Sequence, residues 1–140
     1  MENKDLIYKF LHALEDSLRK IRSMDITFDM ILGDEDIQDL LDRRMQKAIE
    51  ASIDIAIHLA SALNLPRKDK ASDLFTLLAE SKIIDSTLTK KLKSAVGFRN
   101  IIVHEYTDID YTLAYSDLDS KLDDLEAYAY KVKEFLDKHE

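Results

Sequence analysis

The chain has 140 residues, 46% hydrophobic and 34% charged, with two glycines, one proline, no cysteine and a net charge of −8. That length and apolar share suit one compact domain, expected to span 1–140, and exclude a disordered tail; the lack of cysteine excludes disulfide scaffolds and thiolate metal sites. The negative balance argues against a protein that coats nucleic acid without selectivity, because phosphate contacts rely on clustered Lys and Arg.

The longest run without a charged side chain, Ile55 to Pro66, has 12 residues, against about 20 for a helix that crosses a bilayer. The opening Met1-Glu2-Asn3-Lys4-Asp5 has neither the basic nor the apolar region of a signal peptide. The expectation is a cytoplasmic protein without membrane contact.

So few glycines and prolines favour long helices over a many-stranded sheet. Leu6, Phe10, Leu14, Leu18 and Ile21 recur every three to four residues and predict a first helix over 4–23. An uncertain connection containing Gly33 follows. Ile37, Leu41, Met45, Ile49, Ile53 and Ile57 predict a long second helix over 35–63, stopped by Asn64-Leu65-Pro66. A short helix is expected over 73–81. Ser86 offers an N-cap for the next helix, which holds Leu88, Leu92, Val96 and the segment after Gly97. Gly97 reads as a point of close packing with another backbone, the alternative being a simple tolerated glycine. The last helix starts at Tyr111 or Ser116 and runs to Lys138. The fold class is all-α, an antiparallel four- to five-helix bundle.

Within the fourth long segment, Phe98-Arg99-Asn100-Ile101-Ile102-Val103-His104-Glu105-Tyr106 brings a guanidinium, an amide, an imidazole and a phenol together. At about 100° per residue, with Arg99 at 0°, Asn100 falls near 100°, His104 near 140° and Tyr106 near 340°. The four line one broad side, bordered by apolar residues. An imidazole transfers protons near neutral pH. A guanidinium matches phosphate and stabilises charge that develops in a transition state, and Asn100 can orient either neighbour.

Together these groups suit phosphodiester chemistry in which a 2′-OH attacks the adjacent phosphate. One imidazole is too few for a separate base and acid. A symmetric dimer would place two in one cleft.

Other candidates are weaker. His12 and His58 lie among apolar helix positions as core-edge or surface residues, and His139 lies in a fraying tail. None has a metal-ligand spacing. No phosphate-binding glycine loop or nucleophile elbow is present. Three basic clusters occur: Arg43, Arg44 and Lys47; Arg67, Lys68 and Lys70; and Lys90, Lys91 and Lys93. The third is the RNA-binding candidate, because it precedes Arg99 by two to three helical turns.

The run Arg99-Asn100-Ile101-Ile102-Val103-His104-Glu105-Tyr106 resembles the R-x4-H-x-Y motif, with Asn after the Arg, of the HEPN superfamily and its HepT-like toxins. The long helix from Arg44 to Leu63, the Leu65-Pro66-Arg67 turn, the Asp73-Leu-Phe-Thr-Leu-Leu-Ala-Glu segment and Val96-Gly97-Phe98 resemble that family in order and spacing. The resemblance implies a homodimeric helical bundle with the two motif helices across a cleft. It implies a metal-independent endoribonuclease that needs no cofactor, the toxin of a two-gene system, with Arg99 and His104 catalytic and Asn100 supporting them. The implied partners are an RNA substrate and a minimal nucleotidyltransferase antitoxin of the MNT type, which transfers AMP from ATP to Tyr106. The rival reading is a noncatalytic helical module that binds a nucleotide or a partner, which the acidic total favours.

Overall fold

The computed structural model of the chain describes residues 1–104 and 108–139, with His104 described by its backbone alone. Among the described residues all regular structure is helical: α1 (Lys4–Ser23), α2 (Phe28–Gly33), α3 (Glu35–Ala62), α4 (Ala71–Glu80), α5 (Ser86–His104), α6 (Tyr111–Tyr115) and α7 (Leu118–Lys138). Four long helices make the bundle, and three short ones close its ends.

The periodic apolar rows explain the packing. Ile7, Leu11, Leu14, Leu18 and Ile21 of α1 are all buried, against α3 along their length and α7 on the other side. The facing row of α3, Leu41, Met45, Ile49 and Ile53, runs on through Ala56 and Leu59 as the central spine. Leu122, Leu125, Tyr128, Val132 and Leu136 of α7 complete one contiguous core. Tyr128 is wholly buried, and its hydroxyl donates to the Ser52 carbonyl at 2.9 Å, so its polar end is satisfied.

Capping chemistry sets the boundaries. Asp34 accepts from the amides of Asp36 and Ile37 to start α3. The helix ends where Asn64 takes a left-handed φ of 56°, while the Leu65 amide reaches back to the Ala60 carbonyl at 2.8 Å and the Asn64 amide to Ser61. That double return satisfies carbonyls a helix end otherwise leaves open. α4 ends the same way, with Lys82 left-handed and the Ile83 amide on the Leu78 carbonyl.

Three expectations need correction. Ser86 is the first residue of α5 rather than its cap; the Asp85 carboxylate accepts from the Leu88 amide at 2.7 Å, a stronger capping acceptor than a hydroxyl. A Cβ built on Gly97 would meet nothing within 4 Å, so Gly97 is not a close-packing point. The connection through Gly33 contains α2, opened by a capping box in which Thr27 accepts from the Met30 amide. α2 escaped notice because, of its apolar residues, only Ile31 is buried. No helix among the described residues is long and apolar enough to cross a membrane.

Candidate active site

α5 carries the polar run, and its rotation decides what each residue faces. Leu88, Leu92 and Val96 are buried, fixing the core side of the helix. Arg99 continues that row one turn later and is half-buried, whereas Asn100 is exposed. The guanidinium Nη2 donates to Asn100 Oδ1 at 3.0 Å. This bond occupies one of five guanidinium N–H groups and ties Arg99 and Asn100 into one polar unit at the core's rim.

The helix extends through residue 104, so the backbone of His104 lies on the same flank as Asn100, about 40° round the axis. The His104 side chain and Glu105-Tyr106-Thr107 lie outside the described residues, and with them the expected roles of His104 and Tyr106.

The three lysines separate. Lys93 sits about 20° from Asn100 around α5 and shares its flank, while Lys90 lies roughly 60° further round; both are exposed. Lys91 turns the other way, and its Nζ pairs with Asp124 Oδ1 at 3.2 Å. The structure therefore brings Lys93, Asn100 and Arg99 to one side of the helix and leaves Lys91 off it.

A cavity of about 860 Å³ lies on that other side, between α5, α6 and α7, with Met45 and Ile49 of α3 also lining it. Phe98, Ile101 and Leu113 give it apolar walls. Asp108, Asp110, Asp117 and Asp124 outnumber Lys91 and Lys121 around it, a charge balance that disfavours a phosphate chain. The cavity neighbours the Arg99–Asn100 unit without being part of it.

The end of α5 is clamped on the cavity side. Phe98 packs edge-on against Tyr115, with centroids 5.4 Å apart and planes at 79°, and Lys121 Nζ lies 5.0 Å from its ring centroid. Tyr115 in turn bonds to Asp42 of α3, as does Tyr111. Sequence reading missed this group. The available signal was a carboxylate three and seven residues ahead of the buried Met45 and Ile49, facing two tyrosines one helical turn apart.

The remaining histidines stay outside the site. His12 is exposed. His58 stacks on Phe10 with centroids 5.2 Å apart. His139 stacks on Phe135 with its Nδ1 2.8 Å from the Phe135 carbonyl, so it is held against α7 rather than frayed. Among the described residues no three His, Asp or Glu side chains gather to hold a metal ion.

The family model for ribonuclease HepT-like proteins matches residues 14–132, which takes in the second half of α1, all of α3 and α5 with the polar run, and most of α7. The chain belongs to the ribonuclease HepT-like family. Its chemistry is accordingly that of an endoribonuclease, as the resemblance implies. The mRNA nuclease HepT of Shewanella oneidensis is 29% identical over 129 residues, covering 92% of this chain and 97% of the relative. The tRNA nuclease HepT of Aphanizomenon flos-aquae is 28% identical over 132 residues, covering 94% and 86% respectively. A solved structure of the tri-AMPylated Shewanella oneidensis HEPN toxin in complex with MNT antitoxin superposes with a TM-score of 0.85 at 29% identity, covering 92% of this chain and 97% of that one. The HepT-like family therefore accounts for the helical bundle.

Proposed function

We propose that this HepT-like chain is the toxin of a toxin–antitoxin pair, a single HEPN-like domain that dimerises and cleaves RNA without a metal ion. The Arg99–Asn100 unit carries the reading: a cation held at the rim of the core, on the flank of α5 that also carries Lys93 and the backbone of His104.

In the proposed reaction the imidazole of His104 takes the proton from a ribose 2′-OH, whose oxygen attacks the adjacent phosphorus. Arg99 holds the phosphate and stabilises the charge on its nonbridging oxygens as the bond forms. His104 of the partner subunit protonates the departing 5′-oxygen, which yields a cyclic phosphate and a 5′-hydroxyl. Asn100 restrains the guanidinium, and Lys93 extends the phosphate path, with Lys90 beside it. Lys91 contributes little, because Asp124 neutralises it.

The proposed antitoxin is a nucleotidyltransferase that adds AMP to Tyr106. The support is the Shewanella relative, AMPylated and bound to an MNT antitoxin. The phosphate of the added AMP would compete with RNA for the Arg99 cation.

The test compares wild type, Arg99→Ala and His104→Ala on an RNA pool. Each substitution should lower cleavage by about a hundredfold or more. Equal cleavage by all three would defeat the assignment, whereas cleavage by none would favour the noncatalytic binding module that the net charge of −8 suggests. With the nucleotidyltransferase and ATP, intact mass should show AMP added to wild type and absent from Tyr106→Phe; persistence in that variant would refute Tyr106 as the acceptor.

A further inference from the structure

Phe98, the residue before Arg99, is held by contacts that begin on a different helix. Asp42 of α3 is half-buried. Its Oδ2 accepts from the Tyr111 hydroxyl at 2.6 Å, and its Oδ1 takes a short bond from the Tyr115 hydroxyl. The two tyrosines are one turn apart on α6, with rings stacked at 5.9 Å. Tyr115 is 2% exposed and meets Phe98, the residue that precedes Arg99. The path runs from carboxylate to phenol to benzyl ring to the base of the guanidinium's own residue.

A half-buried carboxylate is an expensive way to join two helices, and apolar packing would do it without desolvating a charge. What the carboxylate adds is direction. Two charge-assisted bonds to separate oxygens fix both the position and the rotation of α6, where a single bond would leave a pivot. Burial, with Asp42 alongside, pushes both phenols well above their ordinary range, so each remains a neutral donor. Tyr115 is thereby locked, and Phe98 is held between it and Lys121.

We infer that Asp42 is a positioning residue for RNA cleavage, which through Tyr115 and Phe98 fixes the end of α5 and hence the aim of Arg99 at the phosphate. This rests on the assignment of Arg99 above. Asp42 touches no substrate. Its loss misplaces a catalytic group, and small misplacements cost turnover more than binding.

The experiment measures kcat and KM for RNA cleavage by the full chain as wild type, Asp42→Ala, Asp42→Asn, Tyr115→Phe and Arg99→Ala, at a temperature where circular dichroism shows each to be folded. Asp42→Ala should lose about ten- to a hundredfold in kcat with KM within about twofold of wild type. Asp42→Asn, which keeps an acceptor, should recover part of the loss. Amide exchange in residues 95–103 should quicken in Asp42→Ala while α1 is unchanged. Wild-type kcat in folded Asp42→Ala, or a loss confined to KM, overturns the inference. Should Asp42→Ala not fold, Tyr115→Phe decides: it keeps the ring on Phe98 and loses only the bond to Asp42. Lower kcat there supports the inference, and wild-type kcat overturns it. Arg99→Ala separates the two claims. Inactivity there with full turnover in the Asp42 and Tyr115 variants removes the positioning role alone, whereas full turnover in Arg99→Ala removes the site assignment and the positioning role together.

Discussion

Asp42 shows how one residue can cost stability and still specify geometry. Burial pushes its pKa above the usual carboxylate range, while the hydrogen bonds from Tyr111 and Tyr115 pull it back only in part. An acid whose pKa is higher folded than unfolded binds its proton more tightly in the folded state. Its contribution to stability is therefore complete below the unfolded value, about 3.9, and is lost as pH rises through the raised folded value. Asp16 responds in the opposite sense, since hydrogen bonding from Lys20 holds its carboxylate below the usual range. Total stability thus mixes the two. Referring wild type to Asp42→Asn isolates one group. In urea unfolding from pH 7 down to pH 4, wild type should gain on Asp42→Asn; a constant gap, or one that moves against wild type, would contradict the raised pKa.

At the scale of the element, α5 was legible in outline and misread in detail. Its apolar row, Leu88, Leu92 and Val96, repeats at helical spacing and is buried as that spacing requires. The cap was misplaced by one residue because Asp85 and Ser86 both have capping chemistry, and only the bond to the Leu88 amide distinguishes them. Gly97 invited a packing explanation that the geometry does not support. With no neighbour to accommodate and no positive φ, it weakens an exposed stretch of helix. Gly97→Ala should therefore raise stability by about 0.5–1 kcal/mol, read as an upward shift of the thermal midpoint. A lower midpoint would show that Gly97 has a contact in the assembled protein. The polar run was legible as chemistry because Arg, Asn and His fall on one flank by angle alone. The Asp42 group was not, because it joins α3 to α6 across 69 and 73 residues of sequence, and helical periodicity reports only neighbours within a few turns.

The whole molecule is acidic, with 28 Asp and Glu against 20 Lys and Arg, so the proposed RNA cleavage requires a local basic region. Charge is unevenly distributed around α5. On the cavity side Lys91 pairs with Asp124, and Lys121 with Asp117. On the other flank Lys93 lies two turns before Asn100, to which Arg99 is bonded. A polyanion is therefore favoured on one side of α5 and repelled from the other. The proposed symmetric dimer brings two such flanks together and supplies the second imidazole. The most direct test is the chemistry of the cut ends. RNA incubated with the purified protein in excess chelator should yield fragments ending in 2′,3′-cyclic phosphate with new 5′-hydroxyls, and none with His104→Ala. Cleavage that requires a divalent metal and leaves 5′-phosphates would contradict the account.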